Sequence, residues 1–404
     1  MTDTPKPDLN VDDLVAESDT GARAPTAALP KAVLWYTPLV WSLFQLWIAS
    51  PLPFILRFGV MNDTQTRAIH LAFAVFLAFL AYPTLKSSPR RWIPPQDWVL
   101  ALLAAASSAY IWLFYVQITA RTGAPNTVDL VMAGMGIVLL MEAARRSHGF
   151  PLMAVAAFFL AYVFFGAWEG LPDIVRWKGA SFAKAMSHMW LTTEGVFGVA
   201  LGVSSGFVFL FVLFGALLNQ AGAGNYFVQI AFSLLGHMRG GPAKAAVVSS
   251  AMTGLISGSS IANVVTTGTC TIPLMKRVGF PANKAGAVEV SSSVNGVLAP
   301  PVMGAVAFLM TEYVGISYVE VVKHAIVPAA ISYIALVYIV HLEALKNGMD
   351  GLPRSGPMHP MKARLIRAGI TWASLFILAG VIYYVIEGLK MVFGELSAWP
   401  ILAL

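Results

Sequence analysis

The chain has 404 residues, 57% of them hydrophobic and only 11% charged, with a mean hydropathy of +0.71. A soluble domain of that length has no use for so much apolar surface, so the composition points to an all-α polytopic membrane protein. The formal net charge of +6 fits basic loops at a membrane face better than a nucleic-acid binder, and the single cysteine, Cys270, excludes an internal disulfide and reads as a small packing residue.

Residues 1–30 are Pro/Ala-rich with acids from Asp3 to Asp19, too polar to bury a core, and are expected to form a disordered cytoplasmic tail. No short apolar segment with a small-residue cleavage site precedes the first span, so no cleavable signal is expected. Apolar runs at Val33 to Phe58, Ile69 to Leu85, Asp97 to Ile118, Thr127 to Met141 and Phe150 to Trp168 read as helices, separated by Pro, Gly and Arg turn signals. Leu171 to Thr193 mixes Asp173, Arg176, Lys178, Lys184 and His188 with apolar residues, the pattern of a helix lying on the membrane surface. Gly195 to Leu218 is expected to cross. Further on, Val319 to His324 reads as interfacial, Ile326 to Leu345 as a crossing, residues 346–367 as a basic loop and Ile366 to Ile386 as a last crossing. With the N-terminus inside, most of the 26 Lys and Arg fall on the cytoplasmic side.

Between these runs lies the stretch that breaks the apolar monotony, GGPAKAAVVSSAMTGLISGSSIANVVTTGTCTIPLMKRVGFPANKAGAVEVSSSVNGVLAPPVM from Gly240 to Met303. Ala243 to Leu255 is thirteen residues and reaches only about 20 Å, against roughly 30 Å of hydrocarbon. A turn-forming run, Ser257 to Asn263, separates it from a second arm, Val264 to Val278. Arg239 and Lys244 flank one end and Lys276 and Arg277 the other, so a re-entrant hairpin over residues 242–280 puts all four charges on one side. Its tip would expose backbone groups that lipid cannot satisfy, and must face protein or water. Residues 281–312 then start as a helix that Ser291-Ser292-Ser293-Val294-Asn295-Gly296 and Ala299-Pro300-Pro301 should interrupt. A hairpin tip beside a broken helix supplies carbonyls, hydroxyls and helix ends at one depth, as in ion-coupled carriers. Taken singly, each small residue is more often a helix-packing contact, and each Ser or Thr a bond to its own helix.

Other chemistries find little support. GGPAK at Gly240 to Lys244 lacks the spacing and hydroxyl of a nucleotide-binding loop. The seven histidines are scattered without metal-type clustering. Gly258-Ser-Ser260-Ile-Ala262 has neither the strand nor the charged partner of a nucleophile elbow. Glu289 stands as the one carboxylate between Ala245 and Thr311. It is read either as a proton or cation site or as the partner of nearby Lys284 in a surface ion pair.

The run from Gly240 to Met310 closely resembles the large membrane subunit of tripartite ATP-independent periplasmic (TRAP) transporters. GGPAKAAVVSSAMTGLISGSSIANVVTTGTCTIPLMKRVGF, AGAVEV and PPVMGA look most like the form that fuses small and large subunits in one chain. The resemblance implies a four-helix small-subunit-like region at 31–148 and a large-subunit-like transport region at 149–404, the first inverted repeat of an elevator-type carrier. It implies no enzymatic activity and no cofactor beyond sodium as coupling ion. It further implies import, across the bacterial inner membrane, of an organic acid such as a C4-dicarboxylate handed over by a periplasmic binding protein. Ser257, Gly258, Ser259, Ser260 and Asn263 would form the hairpin tip, and Ser292, Ser293, Asn295, Gly296, Ala299 and Pro300 the broken-helix side of a sodium and substrate site. The stretch Ser291 to Pro300 departs from the family's glycine-richer pattern. No second hairpin and broken helix follows Pro301, so the missing repeat is expected from further sequence or another chain. A different ion-coupled carrier or channel, and a non-transporting scaffold, are the competing readings.

Overall fold

The computed structural model describes residues 22–85, 88–300 and 303–352, with isolated positions between 366 and 388. The described residues are helical with connecting turns, and five helices are long and apolar enough to cross a membrane: Ala28–Ala49, Asp63–Ala81, Thr127–His148, Val199–Leu218 and Tyr318–Lys346. The chain is an all-α polytopic membrane protein. Its contacts divide into two compact units, one made of the described part of residues 1–48 with 57–207, the other of 49–56 with the described residues from 208 onward. Trp190 and Phe197 are buried in the core of the first unit.

The first unit contains α1 (Ala28–Ala49), α3 (Asp63–Ala81), α4 (Pro95–Leu113), α5 (Tyr115–Ala120), α6 (Thr127–His148), α7 (Phe150–Phe165), α8 (Phe182–Met186) and α9 (Val199–Val203), while the short α2 (Leu52–Leu56) belongs to the second unit. Asn62 with Gln65 and Asn126 with Asp129 form reciprocal capping boxes that start α3 and α6. That cap explains why α3 begins at Asp63, six residues before its apolar run. Pro51 ends the run that was expected to continue to Phe58, and α1 stops at Ala49.

Two expectations fail here. Residues 22–30 do not behave as a disordered tail: Arg23 is buried, donating to the Phe79 and Leu80 carbonyls and, at 2.5 Å, to Asp97, which also holds Arg146 at 2.9 Å. Residues 1–21 lie outside the described residues. Nor does Leu171 to Thr193 form one surface helix. Gly170, Pro172 and Gly179 punctuate it, Trp177 folds back to bond the Gly166 and Tyr162 carbonyls, and helix appears only from Phe182.

The second unit holds α10 (Phe209–Gln220), α11 (Ala223–Leu235), α12 (Gly241–Ser257), α13 (Ser260–Arg277), α14 (Ala282–Leu298), α15 (Ala305–Val314) and α16 (Tyr318–Lys346). The interfacial piece and crossing expected at Val319 to Leu345 are one continuous helix, α16, which runs through Pro328. Helix α11 had no counterpart among the predicted elements. Gly224 and Ala231 are its buried residues, on one face with the half-buried Phe227, Val228 and Leu235. Ala243, Ala246, Val247, Ala285, Val340 and Ala344, together with the larger Met275, Phe280 and Met349, make a core rich in small side chains around α12, α13, α14 and α16. Small residues let these backbones come close, which is how helices associate where lipid removes the hydrophobic drive between them. Of the predicted loop at 346–367 and last span, residues 353–365 and most positions after them lie outside the described residues.

Candidate functional site

Two interruptions of helix define the site. The first joins α12 to α13 through Gly258 and Ser259 alone. Gly258 takes φ +59°, a left-handed conformation that glycine adopts without a Cβ penalty, and its amide caps α12 on the Gly254 carbonyl. Ser259 starts α13 by accepting from the Ala262 amide at 3.3 Å. A two-residue connection makes the arms antiparallel neighbours. The second interruption separates α14 from α15. Ala299 is extended, Met303 sits at φ +53°, and the Gly304 amide turns back to bond the Val297 carbonyl at 2.9 Å. A Cβ placed on Gly304 would lie 3.6 Å from the Gly258 carbonyl oxygen, so the two interruptions meet.

Behind this meeting point the helices touch through glycine. A Cβ on Gly254 would come within 2.6 Å of Gly296 Cα, and α12 and α14 are therefore in backbone contact. Around that contact runs a buried polar network. Asn263 Nδ2 donates to the Ser250 carbonyl at 2.8 Å and to Ser250 Oγ at 3.1 Å, and Ser250 Oγ shares a bond with Ser293 Oγ at 3.0 Å. Thr267 bonds back to the Asn263 carbonyl at 2.8 Å and also meets Glu289 Oε1, while Thr271 donates to Glu289 Oε2 at 2.5 Å. Asn263 Oδ1 is buried and, among the described residues, has no hydrogen-bond partner. An unsatisfied buried carbonyl costs roughly 1–3 kcal/mol unless something fills its place.

The predicted residues are thus distributed unevenly. Asn263, Ser293 and Gly296 lie together in the buried network, and Ser292, also buried, donates to the Val288 carbonyl of its own helix while its carbonyl accepts from the Tyr333 hydroxyl. Gly258 and Ser259 are the turn itself. Ser260 and Asn263 belong to the first turn of α13 rather than to the tip, and the side chain of Ser257 lies outside the described residues. Asn295 and Pro300 are half-buried and Ala299 is buried at the end of α14. That helix runs unbroken through Ser291–Gly296, contrary to expectation; the interruption comes later, where Pro300 denies the helix a donor. Each hairpin arm is also longer than expected. Seventeen and eighteen residues reach roughly 26 Å, so length alone does not forbid a crossing.

Ser250, Gly254, Thr267 and Thr271 were not among the predicted site residues. Their signal was present: Asn263, Thr267 and Thr271 recur every four residues on α13, as do Ser250 with Gly254 on α12 and Glu289 with Ser293 on α14, which puts each set on one face. Glu289 does not pair with Lys284, which bonds Glu343 instead. On the outer side of the turn, Thr253, Ser259 and Thr266 edge a cleft of about 280 Å³ whose other walls come from α10 and α11, including Phe227. Among the described residues no group of His, Cys, Asp and Glu could hold a transition metal.

Several known proteins are similar to part of this chain. The large permease protein of a C4-dicarboxylate TRAP transporter from Pseudomonas aeruginosa is 28% identical over 147 residues, covering 36% of this chain and 33% of the relative. Its Rhodobacter capsulatus namesake is 37% identical over 91 residues, 22% of this chain and 21% of the relative. The large permease protein of a 2,3-diketo-L-gulonate TRAP transporter from Escherichia coli is 26% identical over 107 residues, 26% of this chain and 25% of the relative. In each the shared stretch is a third or less of the relative's own length. The family model of the tripartite ATP-independent periplasmic transporter DctM component matches residues 135–398, well over half of the chain, and the chain therefore belongs to this family of membrane transport proteins, which are not enzymes.

Proposed function

We propose that the chain is the membrane permease component of a secondary importer that couples sodium to uptake of a small organic acid, such as a C4-dicarboxylate, presented by a periplasmic binding protein. One observation carries the sodium part. Asn263 Oδ1 is a buried acceptor with no partner among the described residues, set beside the hydroxyls of Ser250 and Ser293 at the meeting of two interrupted helices. Neutral amide, hydroxyl and carbonyl oxygens suit a hard cation that must be released each cycle, and a fixed negative charge would hold it too long. Ser257, Gly258, Ser259 and Ser260 on the hairpin side, and Ser292, Ser293, Asn295, Gly296, Ala299 and Pro300 on the broken-helix side, are the positions from which further oxygens would come. Substrate would enter the cleft beside Thr253 and Thr266.

The substrate class rests on the names of two relatives, a C4-dicarboxylate and a 2,3-diketo-L-gulonate permease, both of acidic substrates. The domain reading stands as a proposal too: a small-subunit-like part at 31–148 and a transport part at 149–404, with a re-entrant hairpin at 242–280. The concentration of Lys and Arg at predicted cytoplasmic ends supports an inner-membrane protein with its N-terminal side inside. Replacing sodium by potassium in uptake assays of the complete system, with binding protein present, tests the coupling. Uptake is expected to fall at least about tenfold, and to fall comparably in sodium for Asn263→Ala, a loss of some 1.4 kcal/mol of coupling free energy. Uptake indifferent to the cation would sink the sodium reading.

A further inference from the structure

We propose that the end of the first unit at which α1 begins and α3 and α6 finish is a docking surface for an anionic phospholipid. At this end Arg23, Lys31, Arg90, Arg91, Arg145 and Arg146 are opposed, among the described residues, by Asp97 and Glu142 alone. Both acids are already taken. Asp97 holds Arg23 at 2.5 Å and Arg146 at 2.9 Å, while Glu142 holds Arg145 at 2.7 Å and Arg146 at 2.8 Å. Lys31, Arg90 and Arg91 are left over. They are exposed, and among the described residues their side chains enter no ion pair.

The fold holds these three cations in place. The Ala24 and Thr26 amides donate to the Arg90 and Arg91 carbonyls at 3.1 and 3.0 Å, and Arg23 Nε donates to the Pro89 carbonyl at 3.3 Å. The segment leading into α1 is thus bonded to the loop leading into α4, and the buried Arg23 ties both to Asp97. Pro25 and Pro30 in the one, and Pro89 and Pro94 in the other, restrict the backbone further. Cations ordered in advance lose less freedom when they meet an anion.

What surrounds them is apolar. Trp35 lies one turn beyond Lys31 on the same face of α1, Leu39 one turn beyond that, and both are exposed. Trp92, next to Arg91, is exposed as well. Indoles beside cations at the head of a bare apolar helix face mark the headgroup level of a bilayer. A phosphodiester offers the oxygens that arginine's fork and the lysine ammonium select, and an acyl chain covers the face below Trp35. A water-soluble acidic partner would use the charges and leave that face bare.

The full chain, in nanodiscs of equimolar phosphatidylglycerol and phosphatidylcholine and released into native mass spectrometry, gives the test. At low salt it should retain phosphatidylglycerol in preference by about tenfold or more, and lose the preference as salt rises. Lys31→Gln, Arg90→Gln and Arg91→Gln combined should abolish it with helicity and thermal midpoint unchanged. Lys178→Gln with Lys184→Gln, exposed cations elsewhere in the same unit, should keep it. Equal preference in the triple variant, or equal loss in the Lys178 and Lys184 control, overturns the proposal. Should the triple variant fold poorly, the unaltered chain decides, because a preference indifferent to salt also overturns it. A preference that appears only with Asp12→Asn, Asp13→Asn, Glu17→Gln and Asp19→Asn would assign the surface to the chain's own acidic N-terminal segment, against the proposal. None of these readouts uses uptake, so they stand apart from the sodium reading.

Discussion

At the scale of single residues, the second unit is organised by where side chains are missing. Gly254 and Gly286 are both helix-interior glycines, and replacing glycine by alanine in an exposed helix interior ordinarily stabilises by about 0.5–1 kcal/mol. A Cβ on Gly286 would meet nothing within 4 Å, whereas a Cβ on Gly254 would stand 2.6 Å from backbone that cannot rotate away. The two substitutions should therefore have opposite signs. Gly286→Ala is expected to raise the thermal midpoint slightly, and Gly254→Ala to lower stability by about 1–3 kcal/mol through overpacking. Thermal unfolding of both variants in the same lipid nanodiscs decides it; equal effects would mean that α12 and α14 are not in backbone contact.

Among elements, the informative feature is the end of α14. Gly304 returns its amide to the Val297 carbonyl, and a Cβ there would lie 2.4 Å from Val297 Cγ1 but only in ordinary contact, at 3.6 Å, with the Gly258 oxygen. The obstacle is a side chain, so it can be removed. Gly304→Ala is expected to disturb the interruption and reduce uptake by the complete system, and adding Val297→Ala should restore most of it; the coupling between the two, about 0.5–3 kcal/mol for residues in contact, is read by a double-mutant cycle. Failure of Val297→Ala to rescue would place the requirement for glycine in the backbone instead. The same element shows what was legible in the sequence. Pro300 and Pro301 announced a break, and a break exists, but Ser291 to Gly296 was expected to open the helix and does not. Those hydroxyls and the glycine are tolerated because their faces are occupied: Ser292 bonds back to Val288, Ser293 bonds Ser250, and Gly296 receives Gly254. Turn-forming residues in a packed bundle are ambiguous, since the feature that lets a backbone open also lets a neighbour approach. Periodicity across three successive helices, which places Ser250 and Gly254, then Asn263, Thr267 and Thr271, then Glu289 and Ser293 each on one face, was the stronger signal.

For the whole molecule, the decisive geometric question is how far the hairpin goes into the membrane. Both arms reach roughly 26 Å by their length, close to the thickness of the hydrocarbon, so a full antiparallel pair of crossings and a re-entrant hairpin differ only in the depth of the turn. Composition favours the re-entrant form. The turn region carries Ser259, Ser260 and Asn263 with no aromatic anchor, whereas Lys276 and Arg277 hold the other end at a membrane face. Gly258 of the turn is half-buried beside Gly304, while Ser259 is exposed at the cleft lined by α10 and α11, so a re-entrant turn requires that cleft to hold water or protein rather than lipid. Accessibility separates the two forms in a background where the exposed native thiol is removed by Cys270→Ser. Met238→Cys and Lys276→Cys, at the outer ends, should react with a membrane-impermeant maleimide only from the cytoplasmic side of inverted vesicles. Ile261→Cys, beside the turn, should resist the same bulky reagent in intact cells while reacting with a small thiol reagent that can follow a water-filled cleft. Modification of Ile261→Cys by the bulky reagent from the periplasmic side would show a hairpin that crosses completely, and the site would then open at the far surface instead of within the membrane. That outcome would leave the Asn263 and Glu289 network intact but would remove the depth that makes a re-entrant hairpin useful to a carrier: a site within the membrane that water enters only through a narrow cleft.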